Sequence, residues 1–279
     1  MAELSLAGRN LFVLGASSGI GRGVALAAAA AGANIAVVGR RGNLLDKVVA
    51  TAGRGTAVVA DLSDPGECDR AAAEGVRALG GRVDAVLHAT GTSPLMPIAR
   101  AGAEMWQTVM ATNVIAPSLV TKAVLPALAD HGIVTFMSSR AVGHPYQGMG
   151  AYAASKAALD HTLLSWRLEN PEHRFLRIEV GDTSNTDFAR DFDLEVIAEL
   201  FPQWVSHAVM TEHRMDAEDL GALIAKVIGH CLDHPEIAMH NVVLHPVGGP
   251  RIGGQEELVA GMQAAVAAKR AAAAAAAAE

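Results

Sequence analysis

Leu11-Phe12-Val13-Leu14 running directly into Gly15-Ala16-Ser17-Ser18-Gly19-Ile20-Gly21 is the stretch that decides the fold. The apolar run is the length of a short buried strand, and the alanine-rich stretch beyond the glycines continues to Ala31 before Gly32 ends it. Glycines at these points permit a tight turn and let the backbone come close to a pyrophosphate. The amino end of the helix that follows offers unpaired N–H groups and a partial positive charge. A glycine cluster alone is a weak signal, because many strand-to-helix turns contain one. This one follows the first strand, opens a helix and sits in a βαβ unit of the right length.

Working outward, short apolar runs recur at residues 34–38, 57–60, 83–88, 133–137, 175–180 and 242–246, each separated from the next by a helix-length segment. Asp64-Pro65 supplies an N-cap with proline at the first helical position. Alternation of this kind builds a parallel sheet with right-handed crossovers. The expected architecture is therefore α/β, a doubly wound parallel sheet in a single domain over residues 1–254 with helices on both faces. Residues 255–279 form a separate, alanine-rich helical extension ending in eight consecutive alanines and Glu279, with no amphipathic face and no assigned function.

Composition narrows the function classes. The chain has 279 residues, 51% hydrophobic and only 18% charged, so a large core is available. The net charge is −7 and no basic run exceeds two residues, which excludes a nucleic-acid-binding footprint and disfavours acidic carrier proteins and anionic membranes. Cys68 and Cys231 are too few and too separated for a disulfide framework. His230 and His234 have i,i+4 spacing but no third ligand, so no metal site is expected. Residues 1–10 carry an acid and no apolar core, and residues 24–33 are too short to span a bilayer; the expected location is cytoplasmic.

The end of the second apolar run selects the ligand of the glycine turn. An acid there would bind a ribose 2′-hydroxyl and favour NAD. Here Gly39-Arg40-Arg41 follows, with no acid until Asp46. Guanidinium groups suit a phosphate, so NADP(H) is expected over NAD(H), two solvated surface arginines being the other reading. Asp61, after the third run, either accepts from an adenine amino group or simply ends a strand.

Ser138-Ser139 closes the run at 133–137, and Tyr152 and Lys156 follow in Ala151-Tyr152-Ala153-Ala154-Ser155-Lys156, which reads as a helix. Four-residue spacing puts phenol and ammonium on one face. An adjacent cation stabilises phenolate, so the tyrosine pKa is expected to fall from about 10 towards working pH. Hydride transfer at a carbonyl carbon requires proton movement at the oxygen, which a tuned tyrosine can supply while Ser139 hydrogen-bonds the same oxygen.

With these residues in hand, the chain resembles the short-chain dehydrogenase/reductase family over roughly residues 5–250, and in ordered motifs: the Gly15…Gly19-Ile20-Gly21 turn, Asn113, Ser139, Tyr152 and Lys156, and Val247-Gly248-Gly249 after the last strand. The resemblance implies a Rossmann-type fold and a ketone/aldehyde–alcohol oxidoreductase. Tyr152 is similar to the family's general acid/base and Ser139 to the residue that positions the substrate oxygen. Lys156 is similar to the residue that holds the nicotinamide ribose, and Asn113 to the one that fixes a water in the proton relay. The alternative reading of Asn113 is a helix-interior amide satisfied by backbone. The expected dinucleotide contacts are Gly15, Ser17, Ser18, Gly19, Ile20, Gly21, Arg40, Arg41, Asp61, Leu62, Gly91, Tyr152, Lys156 and Thr186. Three positions depart from the family pattern: Leu14 stands where threonine is usual, His88-Ala89-Thr90-Gly91 where two asparagines, alanine and glycine are common, and Val180-Gly181 where proline-glycine is usual.

The resemblance also implies a mobile substrate lid at about 183–215. Four of the eleven aromatics, Phe188, Phe192, Phe201 and Trp204, fall there, which points to an apolar or ring-bearing substrate; a helix pair packing on the sheet is the alternative. His144, Tyr146 and Met149 are expected to line the same pocket. The Tyr152 helix is apolar on more than one face, and the family packs it against its mate, so a homotetramer or homodimer is expected. The competing functions are an NAD-linked alcohol dehydrogenase and a non-catalytic dinucleotide sensor on the same scaffold.

Overall fold

The computed structural model describes residues 5–190, 192–249, 254, 256–257, 259–264 and 267. The alanine tract at 271–278 and Asp191 lie outside the described residues. Each apolar run is a strand: β1 Asn10–Leu14, β2 Asn34–Gly39, β3 Thr56–Val59, β4 Val83–His88, β5 Leu128–Ser139, β6 Arg174–Val180 and, after a small detour, β9 Asn241–Leu244. All pair in parallel in the order β3-β2-β1-β4-β5-β6-β9. The intervening helices are α1 Gly19–Ala30, α2 Gly42–Ala52, α3 Pro65–Ala78, α4 Ala103–Met110, α5 Ala116–Val124, α6 Gly150–Glu169, α7 Leu194–Ser206 and α8 Ala217–Asp233. Two short strands that the apolar pattern does not announce, β7 Thr183–Ser184 and β8 Met215–Asp216, pair with each other at either end of the 183–215 segment.

Strand alternation builds two cores. Leu11, Val13, Ile35, Val37, Ile133 and Met137 point to the face covered by α1, α2 and α8. Phe12, Leu14, Ala36, Val38, Val134 and Phe136 point to the face covered by α3, α5 and α6. Burying each large apolar side chain of β1 contributes about 1.5–3 kcal/mol, which fixes the strand that carries the glycine turn. Helices on both faces explain why the strands read as continuous apolar runs. The helical run 103–127 is long and apolar enough to cross a bilayer by composition; in the fold Val109, Val120 and Val124 bury one side of it.

Strand order reverses between β1 and β4, the point at which doubly wound sheets bind ligands at the carboxyl ends of the strands. The turn after β1 and the loop after β4 face each other there. Gly15 has φ +81°, and a Cβ on it would stand 2.7 Å from the Ala89 carbonyl carbon, while one on Gly21 would stand 2.4 Å from Gly15 O. These two positions need glycine because backbone passes where a side chain would be.

Candidate active site

Ser139 ends β5, and Tyr152 and Lys156 sit in the first two turns of α6, so all three meet at the carboxyl edge of the sheet. The Ser139 hydroxyl hydrogen-bonds the Tyr152 phenol and accepts from Ala141 N at 3.1 Å. Lys156 Nζ donates to the Met137 carbonyl at 2.8 Å and lies 5.9 Å from the centre of the Tyr152 ring. Both side chains are buried.

Burial governs their chemistry. It pushes the phenol up to about 12, against the downward pull of the Ser139 hydrogen bond, and the Asp160 carboxylate adds to the rise. This corrects the expectation of a lowered tyrosine pKa: the ammonium is engaged by a carbonyl, and a phenolate here would lose its hydration. Burial likewise pushes Lys156 down to about 8, with Asp160 opposing. Asp160 is held in place by Ser138 Oγ at 2.8 Å and Arg177 Nε at 2.7 Å.

Asn113 lies in a π turn, Ala111–Ile115, between α4 and α5. Its Oδ1 accepts from Thr92 N and its Nδ2 donates to Thr92 O and Ser155 Oγ, all at 2.9 Å. It therefore ties the loop after β4 to α6. Gly91 stands beside both groups: a Cβ on it would be 3.8 Å from Asn113 Oδ1 and from Lys156 Nζ. Buried in the same loop, Thr90 Oγ1 and Ser93 Oγ have no hydrogen-bond partner among the described residues. His88, at the end of β4, stacks on Phe136 with centroids 4.8 Å apart, and its Nε2 is 2.9 Å from Thr121 Oγ1. Burial holds its pKa down to about 3.

The expected dinucleotide contacts divide in two. Gly15, Ser17, Ser18, Gly19, Ile20 and Gly21 form the turn and the start of α1, whose N-cap Ser18 makes no capping hydrogen bond with its own side chain. Arg41 reaches back over this turn, donating to Ser17 Oγ at 2.9 Å and Ser18 Oγ at 2.8 Å. Arg40 does not join it: the side chain is exposed, because Arg41 alone is turned inward as the N-cap of α2. Asp61 is exposed and accepts from Ser63 N at 3.0 Å and Ser63 Oγ at 2.8 Å, a local turn. The Leu62 side chain is buried in the core with Val58 and Cys68, leaving only its backbone to face a ligand.

The 183–215 segment closes over this site. Phe188 packs edge-on against Tyr152 with centroids 5.2 Å apart, and Phe192 packs on Phe188 at 5.8 Å. Val196 and Leu200 of α7 join Leu95, Met149 and Tyr152 in one apolar cluster, with Tyr146 at its edge. Trp204 Nε1 donates to Gln147 O at 2.9 Å, so this tryptophan anchors α7 to the loop before α6. His144 is exposed. Sequence reasoning missed two acids. Asp182 gathers Tyr146 OH at 2.9 Å and Thr211 Oγ1 at 2.7 Å, a role only the odd Gly181-Asp182 pair hinted at. Asp187 contacts Arg41, and no local signal announces that.

A family model described as short chain dehydrogenase matches residues 9–195. The chain belongs to the short chain dehydrogenase family. A short chain dehydrogenase of Pseudocercospora fijiensis is 35% identical over 174 residues, 59% of this chain and 56% of that one. An uncharacterized oxidoreductase of Mycobacterium tuberculosis is 37% identical over 61% of this chain and 68% of its own. The match thus spans little more than half the length of the first of these curated relatives. Among solved structures, a short chain dehydrogenase from Burkholderia cenocepacia in complex with NADP superposes with a TM-score of 0.74 at 24% identity, covering 86% of this chain and 97% of that one. A 3-ketoacyl-(acyl-carrier-protein) reductase from Brucella melitensis complexed with NADH gives 0.73 at 19%, covering 86% and 98%. This short chain dehydrogenase therefore shares its sheet with proteins solved with either dinucleotide.

Proposed function

We propose that the chain is an NADP(H)-dependent oxidoreductase that interconverts a ketone or aldehyde and an alcohol, with Tyr152 as the acid/base. The observation that carries this reading is the hydrogen bond between the Ser139 and Tyr152 hydroxyls, with the phenol and Lys156 buried and Phe188 packed edge-on against the ring. The residues present fit a dinucleotide. Backbone at Gly15 and Gly21 approaches where a side chain would stand, the amino end of α1 lacks a side-chain cap, and Arg41 with two serine hydroxyls forms a seat for an anion. A bound nicotinamide would supply or accept the hydride. Gly91, Asn113 and Lys156 border the space for its ribose, and Thr186 lies at the turn.

The chain's own residues handle the proton. Ser139 hydrogen-bonds the substrate oxygen, and Tyr152 donates its proton to that oxygen as it becomes an alkoxide. A phenol raised by burial carries its proton at neutral pH, the form that can act as the donor. Phe188, Phe192 and Met149 give the surroundings of Tyr152 an apolar wall that suits an apolar or ring-bearing substrate. Segment 183–215 acts as the lid. The exposed Leu164 and Leu168 of α6 and Ile115 are covered by a second copy of the chain.

The test is a panel of ketones and aldehydes offered to the purified protein with NADPH or NADH, followed by loss of nicotinamide absorbance. Consumption of NADPH with at least one carbonyl is expected. Tight dinucleotide binding without turnover of any carbonyl overturns the enzyme reading in favour of a sensor.

A further inference from the structure

The seat formed by Arg41, Ser17 and Ser18 already holds an anion, and the anion belongs to the chain. Arg41 Nη2 is fixed by the two serine hydroxyls, while Nη1 meets Asp187 Oδ2 at 2.5 Å. The Ser18 hydroxyl hydrogen-bonds the same carboxylate, and Arg190 Nη1 stands 3.8 Å from Oδ2. The Arg41 hydrogen bond, followed by that of Ser18, holds the Asp187 carboxyl below the usual carboxylate range. An arginine fork with hydroxyl donors is the donor set a phosphate would use.

The backbone delivers this acid deliberately. β7 pairs with β8, and Asn185 Nδ2 donates to Asp216 Oδ2 at 2.6 Å. Asn185 has φ 56°, a left-handed conformation that asparagine tolerates, and it bends the chain towards the glycine turn. Thr186 then lies over the start of α1, since a Cβ on Gly19 would be 3.4 Å from its Cγ2. Three consecutive residues thus touch three parts of the cleft: Thr186 the turn, Asp187 the anion seat and Phe188 the Tyr152 ring. The acid absent from the end of β2 is supplied there through space.

We propose that Asp187 is a specificity-determining residue of the dinucleotide site, whose carboxylate competes with a 2′-phosphate for Arg41 and suits a 2′-hydroxyl instead. This rests on the reading of Arg41 as the 2′-phosphate seat. A phosphorylated dinucleotide exchanges one anion for another at Arg41 and sends Asp187 into water. A dinucleotide with a 2′-hydroxyl leaves Asp187 in place as an acceptor, the role an acid at this position plays for NAD. Asp187 therefore narrows the NADP(H) preference that Arg41 alone would confer. The exchange is cheap because the Asp187 side chain is 41% exposed.

The experiment measures dissociation constants of NADPH, NADH, adenosine 2′,5′-bisphosphate and adenosine 5′-diphosphate for the wild type, Asp187→Asn and Arg41→Ala. Asn is isosteric and the position is exposed, so the variant keeps the fold. In Asp187→Asn, NADPH and the 2′,5′-bisphosphate should bind about twofold to fivefold tighter, the size an exposed ion pair contributes. NADH and the 5′-diphosphate should bind no tighter. Arg41→Ala should weaken only the two 2′-phosphorylated ligands. Unchanged binding of those ligands in Arg41→Ala overturns the seat, and this inference with it. A weakened Arg41→Ala beside an Asp187→Asn that leaves the NADPH/NADH ratio unaltered overturns the role of Asp187 alone.

Discussion

The cleft of this short chain dehydrogenase has a dry end and a wet end, and they hold their charges differently. At the dry end Tyr152, Lys156 and His88 are buried, and loss of hydration moves all three pKa values. Their partners are few and fixed: a serine hydroxyl, one main-chain carbonyl and one threonine hydroxyl. At the wet end Arg41 and Asp187 stay 32% and 41% exposed, and they bind each other through contacts that another anion could replace. Desolvation at the dry end sets protonation states through burial, which suits the proton chemistry proposed for it. Solvent access at the wet end lets the Arg41–Asp187 ion pair separate at small cost, which suits the proposed exchange of one anion for another.

The two ends should therefore fail differently. Tyr152→Phe removes only the hydroxyl proposed as the proton donor, so turnover should fall about 10²- to 10⁴-fold, the range of general-acid contributions. Dissociation constants for the dinucleotide should stay nearly constant. Retained turnover would show that the dry end is not the proton source.

Arg41→Ala attacks the wet end. A charge-assisted hydrogen bond contributes about 1.5–3 kcal/mol, so NADPH affinity should drop by about tenfold or more while kcat at saturating NADPH holds. A raised KM for NADPH with constant kcat would mark the site as one of exchange. A matched fall in kcat would join the two ends into one machine.

The last effect, read as a slope per pH unit, concerns acid. Unfolded His88 takes up a proton near 6.5, and the folded side chain resists until about 3 because burial forbids the charge. Its folded pKa is depressed, so its contribution is present above 6.5 and is lost as pH falls through that window. Denaturant unfolding of His88→Asn should show a shallower loss of stability on acidification, by at most about 1.4 kcal/mol per pH unit. An identical slope in both proteins would place the acid sensitivity elsewhere.

Much of the fold was legible in the sequence, for local reasons. A strand buried on both sides must be apolar throughout, and a turn that admits a neighbouring backbone must be glycine, so β1 and the 15–21 turn could be read directly. That Tyr152 and Lys156 share one face of α6 was legible because four-residue helical spacing sets it locally, and Ser139 joins them through the packing of β5 against α6. The pKa of Tyr152 was not legible. A four-residue spacing says that an ammonium is near, but whether it faces the phenol or the Met137 carbonyl depends on β5 packing beneath α6. Arg40 and Arg41 look equivalent in a line of text, and only the entry of the chain into α2 turns one inward and the other out. The same holds across the cleft, where Asp187 lies 146 residues from Arg41 and meets it through the β7–β8 pairing and the bend at Asn185. Patterns of period and spacing record what neighbours along the chain require. Which charge faces which, and whether water reaches them, is settled by packing between distant segments, and tertiary structure alone carries that.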